Sequence, residues 1–523
     1  MKHYIKILLA FATLLTATAA LSQQAQQSDR DAARRAAFAQ QGRGSIGKVA
    51  GLFKENCAVC HGEALEGAAQ GTPLRGVDLA HGAEIAEVIH SISQGFADKG
   101  MPAWSETLDE QEIKGLALWI IETREDITMS DMRQSKEIDI PTGVIKTELH
   151  DLRIEVVVEG LDAVPYSIAP LADGSILLTE KMRGLRIISA DGKKGELITG
   201  TPTVYDDVPR PGLDWGIGRM LEVLPHPDYA ENGWIYLHYT ERCTDCNEIS
   251  KQSKRPVSMN ALVRGRIKDG AWVDEETIYR APKAFYTPGT DLASGGRTAI
   301  DPDGYVFISV GTRGRAQDLG FPDGKTHRVH DDGRIPTDNP YADNPDALNT
   351  IWTYGHRSPQ GLEFNRKTRE LWGSEHGPRG GDEVNLLMPA KNYGWPAFSK
   401  GQNYNGSEVN RYRDDLELEL KDITQPIVDL TPSPAVSSFV FYEGDAFPLW
   451  RDHLLVASLK AADLYRVELK NNTFVKKEVI IDNLTRIRDV ETGSDGAVYL
   501  LLEHNLGGKI VKLVPATEDI AKR

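Results

Sequence analysis

Two hydrophobic periods divide the chain. Between residues 45 and 125 the apolar positions recur at helical spacing: Ile85, Val88, Ile89 and Ile92 share one face, and Ile113, Leu116, Ala117 and Ile120 share another. Asp109 followed by Glu112 predicts a capping box that opens the last helix. From residue 153 to 515 the pattern changes to turn residues followed by short apolar, β-branched runs: Asp173-Gly174 before SILLTE, Asn232-Gly233 before WIYLHY, Asp303-Gly304 before YVFISV, Arg369-Glu370 before LWGSE, Asp452 before HLLVAS and Asp495-Gly496 before AVYLLLE. Six such units at roughly 60 residues each suit four-stranded blades repeated around an axis. The expected fold is therefore multidomain: a small all-α domain (45–125), a charged linker (126–152) and an all-β six-bladed propeller (153–515). A β-sandwich or β-helix with coincidental Asp-Gly turns is the alternative.

Composition narrows the functional classes. Hydrophobic residues make up 40% and charged residues 26% of the 523, which excludes a mainly disordered chain and a polytopic membrane protein. The net charge of −16 argues against a polyanionic partner, so nucleic acid is set aside. Residues 1–22 read as a signal peptide: Lys2 and Lys6, an apolar stretch Ile7–Leu15, then Ala17, Ala19, Ala20 and Ser22. Removing the two lysines takes the charge from −16 to −18. Residues 23–44 form a Gln-, Ala- and Arg-rich leader without assigned function, read as a frayed helix or a disordered segment. The mature chain is expected in the periplasm, with no membrane span.

Four cysteines form two Cys-x-x-Cys pairs that need separate readings. Cys57-Ala58-Val59-Cys60-His61 fits covalent haem attachment, with two thiols for the vinyl groups and an adjacent imidazole for the iron. A zinc site would need a second Cys/His pair, which this domain lacks. Met101, in Gly100-Met101-Pro102-Ala103-Trp104 ahead of the last helix, is the expected sixth ligand. Cys243-Thr244-Asp245-Cys246 has no following His, and in an exported chain reads as a local disulfide, with a redox-active pair as the alternative.

Residues 45–125 resemble class I cytochrome c domains in the CAVCH motif and in Gly100-Met101-Pro102. The resemblance implies haem c with a His61/Met101 iron, one-electron transfer, and a backbone carbonyl at Pro73 holding the second nitrogen of His61. Residues 150–515 resemble the soluble glucose/sorbosone dehydrogenases. The likeness rests on Tyr354-Gly355-His356-Arg357-Ser358-Pro359-Gln360-Gly361, on Glu375-His376-Gly377-Pro378 through Asp382-Glu383-Val384-Asn385, on Asn392-Tyr393-Gly394-Trp395-Pro396, and on Asp463-Leu464-Tyr465-Arg466 and Arg486-Ile487-Arg488-Asp489. It implies a six-bladed propeller that uses pyrroloquinoline quinone (PQQ) and calcium. Position by position, Lys460, Arg486 and Arg488 take the PQQ carboxylates, Arg357 polarises a quinone carbonyl, and the backbone carbonyls of Gly377 and Pro378 hold the calcium.

Departures from that family bear on the chemistry. The position of its histidine base falls on Ala293, and Thr312 stands where an aspartate orients that base. Alanine cannot accept a proton. Ser358 and His376 replace expected amides. A displaced base is expected at His376 or Asp291. The implied function is an exported quinohaemoprotein that oxidises a sugar or other alcohol or aldehyde and passes electrons through the haem to a periplasmic or respiratory acceptor. The competing function is an electron-transfer cytochrome whose propeller is a binding platform or a metal-dependent hydrolase; a hydrolase would not need cations for a tricarboxylate.

Overall fold

The computed structural model describes residues 46–124, 138–205, 219–288, 294–312, 314–404, 406–504 and 506–516. Of these, residues up to 124 with a short stretch at 402–408 form one compact unit, and the remainder form a second. The expected signal peptide and leader lie outside the described residues, as do Asp291 and Ala293.

The first unit is helical: α1 (Ile46–Asn56), α2 (Ala58–His61), α3 (Ile85–Gln94) and α4 (Glu110–Arg124). The faces expected from spacing supply its core, where Val88 and Ile92 of α3 pack with Ile113, Leu116, Ala117 and Ile120 of α4 and with Phe53 of α1. Phe53 and Trp119 pack with tilted rings, their centroids 4.5 Å apart. The start of α4 has the reciprocal cap: Glu112 N donates to Asp109 Oδ1 at 2.8 Å, and Asp109 N donates to Glu112 Oε2 at 3.2 Å.

The second unit is a ring of antiparallel sheets, five with four strands and one with five. Their first strands are Pro165–Pro170, Met220–Pro225, Gly295–Ile300, Pro359–Asn365, Val436–Phe441 and Ile487–Thr492, numbered here as blades one to six. Neighbouring first strands pack against each other, and blade six closes onto blade one, so these strands surround a central axis. Each apolar run found in the sequence is the second strand of a blade: Ile176–Glu180, Ile235–Cys243, Tyr305–Val310, Glu370–Glu375, Leu454–Ser458 and Val498–Leu502. The turn residues before them close the hairpin between first and second strands. Cys243 and Cys246 are disulfide-bonded.

Blade six is completed by both ends of the propeller sequence. Asp151–Val158 pairs antiparallel with Lys509–Pro515, and Ile145–Lys146 adds a fifth strand. Residues 138–152, inside the stretch read as a linker, thus belong to this blade: Ile138 is buried in its core and Ile140, Ile145 and Leu149 pack against it. These apolar residues are too widely spaced to show a strand period, and only the partner strand gives them a surface to cover.

Because first and second strands are antiparallel, the chain enters each first strand and leaves each second strand on the same face of the ring. That face gathers Lys181, Thr312, His376, Lys460 and Glu503, which follow second strands, with Arg357, Arg486 and Arg488, at the openings of first strands.

Candidate functional site

In the helical unit, Cys57 and Cys60 are free thiols on either side of the first turn of α2. Burial and the neighbouring Cys60 push the Cys57 thiol up to about 11. His61 Nδ1 donates to the Thr72 carbonyl at 2.8 Å. The sequence reading placed that acceptor at Pro73; it is the oxygen one residue earlier. The reason is local: the Pro73 ring is the nitrogen side of the Thr72–Pro73 peptide and fixes its orientation, while the oxygen it aims belongs to Thr72. Gly71 lets this segment approach, since a Cβ there would sit 2.5 Å from the Cys60 carbonyl oxygen. With Nδ1 committed, Nε2 is the nitrogen left for a metal. Met101 sits on a tight loop in which Phe96 N donates to Met101 O (2.8 Å) and Met101 N donates to Phe96 O (3.1 Å). Gly100, at φ 82°, turns that loop in the left-handed region. Two free thiols, an oriented imidazole and a thioether on a shaped loop fit a c-type haem.

On the propeller face, Arg486 and Arg488 converge on one carboxylate. Arg486 Nε lies 2.9 Å from Glu503 Oε2, and Arg488 Nε lies 2.6 Å from Glu503 Oε1. Burial pushes the Glu503 carboxyl up, but Arg488, Arg486 and Lys181 outweigh it and hold it at about 2. Arg488 Nη1 also donates to Gln360 Oε1 at 3.3 Å, and Gln360 Nε2 donates to Ser358 Oγ at 3.1 Å. Two guanidiniums sharing one carboxylate keep unspent positive charge, which suits a ligand with several carboxylates. Lys460 reaches this face on a turn whose backbone N–H donates to the Pro434 carbonyl at 2.9 Å. Glu503 and Lys181 had no signal in the sequence; Glu503 follows the last apolar run and becomes legible only once the two arginines are seen on it.

Arg357 is held on several sides. Its backbone N–H donates to Glu375 Oε2 (2.6 Å), its carbonyl accepts from Thr312 N (2.7 Å), its Nη1 donates to the His376 carbonyl (3.1 Å), and its guanidinium lies 5.2 Å from the Trp395 ring centroid. The NYGWP segment thus supplies a π surface for this arginine. The His376 ring hydrogen-bonds the Val436 backbone, and burial, joined by Arg357 and Arg488, outweighs the opposing pull of Asp382 and leaves the imidazole below its ordinary value. Its Nε2 is buried, with no hydrogen-bond partner among the described residues. A neutral ring whose other nitrogen is engaged presents this Nε2 as a lone-pair acceptor.

The Gly377-Pro378 turn is anchored by Asp382, which accepts from Gly377 N (3.1 Å), Ser433 Oγ (2.6 Å) and Val436 N (2.8 Å). A Cβ at Gly377 would meet the Gly381 and Gly380 carbonyl oxygens at 2.3 and 2.5 Å, so glycine is required for this crowding of carbonyls. Among the described residues no group of three His, Cys, Asp or Glu side chains could hold a metal, so a calcium here would rest on backbone oxygens. Thr312, at the position of the expected aspartate, donates its hydroxyl to Asp323, a carboxylate eleven residues further on that sequence reasoning missed.

Comparison with known proteins gives the family of each part of the chain. Residues 162–512 match the Glucose / Sorbosone dehydrogenase family, and residues 44–120 match the Cytochrome C oxidase, cbb3-type, subunit III family. Aldose sugar dehydrogenase YliI of Escherichia coli (strain K12) is 34% identical over 372 residues, covering 70% of this chain and 93% of that protein. The crystal structure of the soluble aldose sugar dehydrogenase from Escherichia coli in the apo-form superposes with a TM-score of 0.60 at 33% identity, covering 70% of this chain and all of that one (100%). The front of the chain is 36% identical over 84 residues to the cbb3-type cytochrome c oxidase subunit CcoP of Azospirillum sp. (strain B510), covering 15% of this chain and 28% of that protein. No helix among the described residues is long and apolar enough to cross a membrane. This chain is a sugar dehydrogenase-like oxidoreductase: it belongs to the glucose/sorbosone dehydrogenase family and carries a cytochrome c domain of the cbb3 type in front of the propeller.

Proposed function

We propose that this chain is an exported quinohaemoprotein that oxidises a sugar or another alcohol or aldehyde at the propeller face and delivers the electrons through a covalent haem to a periplasmic or respiratory acceptor. When bound, PQQ with calcium supplies a two-electron acceptor and a Lewis acid. Arg486, Arg488 and Lys460 bind its carboxylates, Arg357 presents its guanidinium to a carbonyl oxygen, and Gly377 and Pro378 offer carbonyl oxygens to the cation. Cys57 and Cys60 attach the haem, and His61 and Met101 complete the iron.

The single observation that carries this reading is that buried Arg488 and half-buried Arg486 share the one buried carboxylate of Glu503, in a chain that also holds a Cys-x-x-Cys-His site. The proton of the substrate hydroxyl goes to His376 Nε2, the buried lone-pair acceptor described above. Asp291, the other candidate from sequence, lies outside the described residues. Asp323, reached through the Thr312 hydroxyl, is the further carboxylate on this face.

The test is a spectrum of the purified haem-loaded protein with added PQQ and calcium, followed by a panel of aldoses and simple alcohols read at the reduced haem band. Reduction that requires both substrate and PQQ supports the proposal, and His376→Gln should then lower the rate about 10²- to 10⁴-fold, as loss of a general base does. Haem that dithionite reduces but no substrate reduces in the PQQ-loaded protein would overturn it, in favour of a cytochrome with a non-catalytic propeller.

A further inference from the structure

We propose that Lys181 is an additional anion-binding cation of the quinone pocket, an ammonium that completes the recognition of a polycarboxylate from the side of blade one. The inference rests on the PQQ reading above and extends it to a residue that neither the family resemblance nor the motifs single out.

Lys181 follows the second strand of blade one, the place in its blade that Lys460 occupies two residues beyond the second strand of blade five. Its backbone is pinned at the junction of two blades: Lys181 N donates to Val164 O at 3.2 Å, and Met220 N donates to Lys181 O at 3.1 Å. Its Nζ stands 5.0 Å from the ring centroid of Tyr166, a ring that Arg488 also approaches, at 5.7 Å. Tyr166 is itself fixed, since its hydroxyl donates to the Gly295 carbonyl at 2.7 Å.

The charges around Lys181 are the telling feature. Arg486 and Arg488 of blade six and Arg219 ahead of blade two are its cationic neighbours, and Glu503 is the one acidic side chain among its principal electrostatic partners. Nearby carboxylates are committed elsewhere, Glu180 to Arg186 at 2.7 Å and Asp162 to Arg183 at 3.2 Å. Among the described residues no carboxylate lies within ion-pair distance of Lys181. Burial, then Arg488, hold its ammonium well below the ordinary lysine range, with Glu503 alone prominent in opposition. A protein stabilised only by internal contacts gains nothing from such crowding; a site for a ligand with several negative charges does. Binding an anion there favours the charged ammonium, so binding draws a proton onto Lys181 only toward alkaline pH, where the free group begins to lose it.

The experiment titrates PQQ, with calcium present, into the haem-loaded protein and into Lys181→Met and Lys181→Arg, using intrinsic fluorescence for affinity and calorimetry in two buffers of different ionisation enthalpy for proton uptake. Toward alkaline pH, wild type should bind with a proton uptake that grows as pH rises. Lys181→Met should bind roughly 10- to 100-fold more weakly and without that uptake, the loss of one charge-assisted hydrogen bond. Lys181→Arg should keep the affinity to within a few-fold and lose the uptake, because arginine never gives up its proton. Unliganded Lys181→Met should melt no lower than wild type, since a merely structural lysine would cost stability when removed. Unchanged affinity and proton count in Lys181→Met overturn this inference alone; a wild type that takes up no PQQ overturns the quinone reading and this inference with it.

Discussion

Replacing Glu503 by glutamine tests the electrostatic core of the site directly. The side chain is 1% exposed and receives Arg486 and Arg488 on its two oxygens, so solvent does not screen the interaction. Burial opposes ionisation, yet the surrounding cations bring the carboxyl from 4.5 to about 2. At 1.36 kcal/mol per pKa unit that difference amounts to about 3 kcal/mol of stability at neutral pH. A depressed carboxylate contributes fully above its unfolded value, and the contribution fades as pH falls through the folded one. Wild type should therefore lose about 3 kcal/mol between pH 4.5 and 2 from this group. Glutamine of the same size leaves the buried Arg488 and half-buried Arg486 guanidiniums without their counter-charge, and removal of one partner of a buried pair typically costs about 3–5 kcal/mol. Urea unfolding of the unliganded protein followed by tryptophan fluorescence at pH 7 and pH 3 measures both effects. Added PQQ should restore much of the deficit, because its carboxylates meet the same guanidiniums. A Glu503→Gln protein within about 0.5 kcal/mol of wild type at pH 7 would refute the reasoning.

Other expectations follow from the same geometry. Cys57→Ala combined with Cys60→Ala should abolish covalent haem, seen as loss of haem staining after denaturing electrophoresis, while the propeller's own melting transition persists; Met101→Ala should keep the staining but lower the haem midpoint potential. Glu363, on the first strand of blade four, is raised to about 8 by burial and then by Glu222 and Glu443. A raised carboxyl contributes fully below the unfolded value of 4.5 and loses that contribution as pH climbs from there to about 8, so Glu363→Gln should flatten the fall of the melting temperature between pH 4.5 and 8. An unaltered slope there would contradict the assigned burial.

Patterns with short range were legible in the amino-acid string. The CAVCH motif, the Asp109/Glu112 cap and the six hairpins each depend on residues a few positions apart, and steric and hydrogen-bonding rules act at that range whatever the rest of the chain does. Arg357 and Arg486, singled out from the family resemblance, share one face of the ring because the antiparallel hairpin puts every first-strand opening there. Other features had no local trace. Glu503 sits 17 residues from Arg486, a separation without periodic meaning until the hairpin brings the two together. Lys181 reaches Arg488 only because Asp151–Val158 pairs with Lys509–Pro515 and brings blade one round to blade six. The acceptor for His61 fell one residue before the proline that marked it, since a motif names a ring whereas a hydrogen bond chooses an oxygen. Elements came from local spacing; the charge balance of the pocket came from ring closure, which sets side by side residues whose distance along the chain carries no information about their distance in space.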